Sequence, residues 1–151
     1  MTTKHILVPI DFSGYAAYAL DYAIGLAKVL QARLTLLHVA DMTPLGVAES
    51  ATPRSPSFWQ ELETGIAESM EGLLSRAHAA GLQGEIAIVQ GAPFQMIIDT
   101  ARDKGVDLIV MGTHGRTGLT HILMGSVAER VVRLAPCPVL VTRGTTEEAT
   151  T

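Results

Sequence analysis

Short apolar runs alternate with segments of helical period along almost the whole chain, and that alternation restricts the fold more than any other feature. His5-Ile-Leu-Val-Pro-Ile10 is a nearly continuous apolar run ending at Asp11, the pattern of a strand covered on both faces. From Ser13, an available N-cap, Ala16, Leu20, Ala23, Ala27 and Leu30 recur at helical spacing, and Arg33 to Val39 then reads as a second buried strand. A strand, a helix and a strand in that order form a crossover unit, right-handed in nearly all cases. The pattern repeats: a helix over Phe58 to about Ala80 closed by Gly81, a strand over Glu85 to Val89, a helix opened by Pro93 and stopped at Gly105, and a strand over Val106 to Met111. A last helix runs from about Ser126 to Leu134, with Val127, Val131 and Leu134 on one face, before a fifth strand at Val139 to Thr142. Five strands and four helices in alternation predict a single α/β domain of Rossmann-like type, a five-stranded parallel sheet with helices on both faces. Residues 41–57, with Pro44, Gly46, Pro53 and Pro56, read as a long loop, and residues 144–151 as a frayed tail.

Size and composition bound the function. A chain of 151 residues, 48% hydrophobic, buries enough surface as one domain to need neither disulfide nor metal. Cys137 is the single cysteine, which rules out an internal disulfide or a cysteine-rich zinc site and fits a reducing, cytoplasmic setting. No secretion signal and no apolar run long enough to span a membrane is visible. A net charge of −4, with lysines and arginines dispersed, lacks the basic footprint that nucleic-acid binding requires.

In parallel α/β sheets ligands dock beyond the carboxyl ends of the strands, which directs attention to Asp11, Val39 to Asp41, Gly91 and the segment from Gly112. That segment is the most unusual in the chain: Gly112-Thr-His-Gly115, nine residues, then Gly125-Ser126 opening a helix. Glycines let successive N–H groups point inward, and a helix start adds unsatisfied donors and positive dipole, so the pattern suits an anion such as phosphate. Ser126 can offer its hydroxyl and amide to a phosphate oxygen or serve as a plain N-cap. Asp11 can accept from ribose hydroxyls or cap the first helix, and His114 and Arg116 can meet phosphates or stay exposed without a specific role.

The motif Gly112-x2-Gly115-x9-Gly125-Ser126 resembles in full the nucleotide-binding signature of the ATP-binding universal stress proteins. Ile6 to Ser13, Leu36 to Val39, Gly105 to Gly112 and Cys137 to Val141 are similar to other segments of that family, so the resemblance reaches from about residue 5 to 143. It implies an adenine nucleotide alpha hydrolase-like fold, with the ribose on Asp11 and backbone around Pro9 and Val39 beside adenine. Met111, Gly112, His114, Gly115, Arg116, Gly125, Ser126 and Val127 would hold the phosphates, chiefly through backbone groups and the Ser126 hydroxyl. In the family a magnesium or manganese ion bridges those phosphates, although no carboxylate pair here marks a metal site on its own. The resemblance also implies a homodimer paired through the fifth strands, Val139 to Thr142. An apolar edge needs such cover, unless Pro136, Pro138 and Arg143 protect it.

A regulatory, nucleotide-responsive adaptor of the stress response is the expected function. The chain lacks the lysine of a P-loop, no Gly-x-Ser-x-Gly elbow surrounds Ser126, and no base neighbours Cys137 in sequence. Slow ATP hydrolysis, and cyclic AMP in place of ATP, are the alternatives, and the 41–57 loop is either a lid or an inert insertion.

Overall fold

The computed structural model describes residues 2–41, 56–115 and 124–145. Within them the chain runs β1 (His5–Pro9), α1 (Gly14–Leu30), β2 (Arg33–Ala40), α2 (Pro56–Ala79), β3 (Gly84–Gln90), α3 (Pro93–Asp103), β4 (Leu108–Gly112), α4 (Ser126–Leu134) and β5 (Val139–Thr142). The alternation read from the sequence is therefore the observed one. All neighbouring strands pair in parallel, in the spatial order β3-β2-β1-β4-β5. Ile6 lies opposite Leu34 on one side and Leu108 on the other, which makes β1 the central strand.

Alternate residues of the central strands feed two cores. Ile6, Val8, Leu34, Leu36 and Val110 meet α1 and α2 through Ala16, Leu20, Ala23, Met70 and Leu74. Leu7, Leu37, Ile109 and Met111 face the other way, onto Ile97 and Ala101 of α3 and Ala128 and Val131 of α4. Each wholly buried leucine or isoleucine contributes about 1.5–3 kcal/mol relative to exposure, so the sheet cannot slip register without exposing one core. The face of α1 is largely alanine, which lets the helix lie close to the sheet.

Four readings shift at their edges. The helix expected from Phe58 begins at Pro56, since proline suits a helix's first turn, and so residues 56 and 57 leave the expected loop. The rest of that loop, 42–55, lies outside the described residues, as does the tail from 146 onward. Gly144 and Thr145 are not frayed: Gly144 lies flat on the Tyr18 ring, where an added Cβ would come within 2.9 Å, and Thr145 is buried. Leu134 turns outward at 54% exposure, because the buried face of α4 runs through Ala128 and Val131.

The amino ends of the strands are tied together by side chains. One carboxylate oxygen of Asp107 accepts the amides of both Lys4 and His5, each at 2.9 Å. Thr35 donates its hydroxyl proton to Glu85 at 3.1 Å, so the His5 Nε2–H, 2.7 Å away, donates to Thr35; Lys104 closes the chain on Glu85 at 3.0 Å. His5 Nδ1 is buried without a hydrogen-bond partner among the described residues. Burial, and then the charge of Arg33, holds the His5 pKa below its ordinary value, against the opposing pull of Glu85, the Lys104 backbone and Asp107.

Candidate functional site

Strand order reverses between β1 and β4, because α1 carries the chain from β1 to β2 on one side while β4 and β5 lie on the other. The crevice at that switch point is bordered by the carboxyl ends of β1 and β4, Pro9 and Gly112. Beyond Pro9 the chain makes a forced turn. Phe12 adopts φ +65°, a left-handed conformation costing about 1–2 kcal/mol for a residue with a Cβ. That reversal swings the Asp11 carboxylate back over Ser13, whose amide (3.0 Å) and hydroxyl (2.6 Å) both donate to Oδ1. Ser13 Oγ in turn accepts the amide of Ala16, so Ser13 is the N-cap of α1 and Asp11 braces it.

The other carboxylate oxygen of Asp11 faces the glycine turn. A Cβ built on Gly115 would lie 2.8 Å from Asp11 Oδ2, so the two residues, a hundred positions apart, are in contact. Gly112 lies as close to α1, where a Cβ would meet Tyr15 Cβ at 2.8 Å and its carbonyl oxygen at 3.0 Å. Past β4, the Thr113 amide donates to Thr142 O at 3.0 Å, and its carbonyl accepts the Gly125 amide at 2.6 Å. That pair of bonds brings Gly125 directly onto the end of β4. His114 lies between, its Nδ1 at 3.1 Å from Thr113 Oγ1 and its ring 5.1 Å from that of Tyr15.

Helix α4 starts here uncapped. Its N-cap is Gly125, with no side-chain acceptor, and its first backbone bond runs from Glu129 N–H to Gly125 O. The amides of Ser126, Val127 and Ala128 precede that bond and point out of the helix end. Ser126 is exposed and Val127 half-buried. The helix start, the Gly115 turn and the Asp11 carboxylate therefore share one end of the crevice.

The other sequence-derived residues divide by side chain. Pro9 pairs with Leu37 and Val39 with Val89 at the rim of the sheet. Met111 sends its side chain into the core, 6% exposed, which leaves it only backbone to offer a ligand. Arg116 lies outside the described residues. Sequence reading named Val39 and Val127 but missed Val89, Phe94 and Met124, which like them are partly buried against the core on the α3 and α4 face. Phe94 and Met124 carried no motif, though Pro93 at the start of a helix pointed to the first. His38 was missed too; its Nδ1–H donates to Ile10 O at 2.7 Å and its ring lies 4.9 Å from Phe12, pinning the strained turn.

Among the described residues, the single cysteine is not poised as a nucleophile. Burial, reinforced by Asp107, pushes the Cys137 thiol up from its ordinary pKa, away from the reactive thiolate. Among the described residues no group of three or more His, Cys, Asp or Glu gathers as a metal cluster. No described helix is long and apolar enough to cross a membrane.

Fold and site define a class: a doubly wound α/β domain with a glycine turn and a helix start meeting at its switch point. More narrowly, the chain belongs to the universal stress protein family, whose model matches residues 2–143. It is 36% identical over 140 residues to universal stress protein MJ0531 of Methanocaldococcus jannaschii, covering 93% of this chain and 82% of that protein. Among solved structures, that of MJ0577 from the same organism superposes with a TM-score of 0.85 at 33% identity, over 97% of this chain and 99% of that one. A universal stress protein solved in complex with cAMP shares the fold, with a TM-score of 0.69 at 24% identity over 95% and 98% of the two chains.

Proposed function

We propose that this protein is a cytoplasmic, nucleotide-responsive regulatory module of the stress response, and that ATP is its ligand. The observation that carries the reading is the contact of Gly115 with Asp11 Oδ2 beside the uncapped start of α4. An acceptor suited to ribose hydroxyls and a set of backbone donors suited to phosphate then stand in the order a nucleotide presents them. The ribose goes to Asp11, the phosphates to the backbone of Gly112 to Gly115 and the amides of Gly125 to Val127 with the Ser126 hydroxyl, and adenine to the rim at Pro9 and Val39. Phe94 and Met124 extend that rim with apolar surface.

A magnesium or manganese ion would arrive on the phosphates, because Asp11 is the one carboxylate against the turn and Ser13 already occupies its Oδ1. Binding rather than turnover is the role proposed: among the described residues no lysine stands at the turn or the start of α4. A homodimer joined through β5 accompanies the reading, since β5 is a terminal strand whose Val139, Leu140 and Val141 are only half-buried.

Calorimetric titration of nucleotide-free protein with ATP and with cyclic AMP, each with and without magnesium, followed by product analysis, tests the proposal. Saturable ATP binding with little product over hours is expected. Steady multiple turnovers would make the protein an enzyme, and no binding of ATP would overturn the reading.

A further inference from the structure

Arg130 stands apart from the other arginine of α4. Arg133 is paired with Glu129 at 2.9 Å, whereas among the described residues Arg130 meets no carboxylate and rests its guanidinium 4.9 Å from the centre of the Phe94 ring. Phe94 belongs to the first turn of α3 and is partly buried against the core that α3 and α4 share. Arg130 lies four residues after Ser126, one helical turn further along the same face, and helical side chains lean back toward the helix start. Roughly 6 Å of helix separates the two residues, a distance an extended arginine spans. The guanidinium is thus held level with the open start of α4, on an aromatic face it can leave, since stacking is weaker than a charge-assisted bond to phosphate.

The site has a matching need. The donors described at the turn and the helix start are neutral amides and the Ser126 hydroxyl, the carboxylate against the turn, Asp11, is an acid, and His114 in the turn has its Nδ1 at 3.1 Å from Thr113 Oγ1. A phosphate monoester carries about −1.5 to −2, of which a helix start offsets about half a charge, and a triphosphate adds further charge on its outer groups. Two other described cations are committed away from the crevice: Lys104 pairs with Glu85 at the amino ends of the strands, and Arg76 pairs with Asp21.

Building on the nucleotide reading above, we infer that Arg130 is the residue that selects nucleoside triphosphates over monophosphates, its guanidinium passing from the Phe94 ring to the outer phosphates of the bound ligand. Arg130 is exposed and outside the core, so its replacement leaves the fold standing.

The test is calorimetric titration of wild type, Arg130→Met and Arg130→Lys with ATP, AMP and cyclic AMP at two salt concentrations, with circular dichroism confirming that each variant is folded. Removing one charge-assisted contact is expected to weaken ATP about 10- to 100-fold in Arg130→Met. AMP and cyclic AMP should bind as before, Arg130→Lys should fall between, and the salt dependence of ATP binding should flatten in Arg130→Met. An equal loss for all three nucleotides, or an unchanged ATP affinity, would overturn the role of Arg130 while leaving the nucleotide site intact. Wild-type protein that binds none of the three would instead remove the nucleotide reading, and this inference with it.

Discussion

At the amino ends of the strands Asp107 takes the amides of Lys4 and His5, and a chain of side chains from His5 through Thr35 and Glu85 to Lys104 consumes most of the remaining polar groups. At the carboxyl ends the donors of α4 are left open, and glycines at 112, 115 and 125 keep side chains out of the way. The helices repeat the contrast: α1 is closed by Ser13 and Asp11, while α4 begins at a glycine with no side-chain cap among the described residues. One end of the sheet is thus tied by its own side chains, and the proposed nucleotide would complete the other. At the amino ends side chains take up the strand amides, although His5 Nδ1 stays without a partner among the described residues, so a glycine-capped helix start is not a general feature of these helix and strand ends.

The largest expected effect comes from closing the open end. Gly115→Val would force its side chain against Asp11 Oδ2, where even a Cβ comes within 2.8 Å, and fill the approach to the turn. ATP affinity should fall by about 100-fold or more, equivalent to losing at least two charge-assisted hydrogen bonds, with helix and sheet content unchanged by circular dichroism.

Opening the closed end should do the reverse. Asp107→Ala leaves the amides of Lys4 and His5 without their acceptor, and urea unfolding should show a loss of about 1.5–3 kcal/mol. ATP affinity in the folded variant should hold. A fall in affinity matching the fall in stability would show that the two ends are not independent.

The buried histidine gives a smaller, pH-dependent effect. Because the native His5 pKa is below that of the unfolded chain, the unfolded state binds more protons once the pH drops through about 6.5. Stability from the neutral ring is therefore complete above that pH and is lost as the pH falls toward the native value. Urea midpoints measured from pH 7.5 to 5.5 should decline in wild type and decline less in His5→Gln; equal slopes would show that His5 is not the group responsible. Glu85, whose pKa is lowered first by its hydrogen bond to Lys104, acts only further into acid, below the ordinary carboxylate value. Lys104→Ala should accordingly cost the least, under about 1 kcal/mol at neutral pH, as expected for a largely exposed pair.

The open end was the more legible of the two. Its residues are consecutive or tied to unusual spacing: glycines at 112, 115 and 125, an aspartate directly after a strand, a serine opening a helix. Local patterns of that kind survive in one dimension, and so did the strand and helix alternation, because burial on two faces imposes its own periodicity. The order β3-β2-β1-β4-β5 did not, since it depends on which strands pair across a hundred residues. Nor did the His5, Thr35, Glu85 and Lys104 chain, whose members are separated by 19 to 50 positions and look like ordinary strand and surface residues until the sheet aligns them. Phe94 and Arg130 were hidden for the same reason: each lies on an unremarkable helix, and only the packing of α3 beside α4 brings ring and guanidinium together. Phe12 in a left-handed conformation had no signal, because that conformation is ordinarily left to glycine or asparagine.

The central claim is that the glycine turn and the start of α4 hold the phosphates of a nucleotide, and titration of ATP into wild-type protein and Gly115→Val side by side tests it most directly. Saturable binding by the wild type, lost in a variant that keeps its fold, is the predicted result; undiminished affinity in the folded variant, or no binding by the wild type, would contradict it.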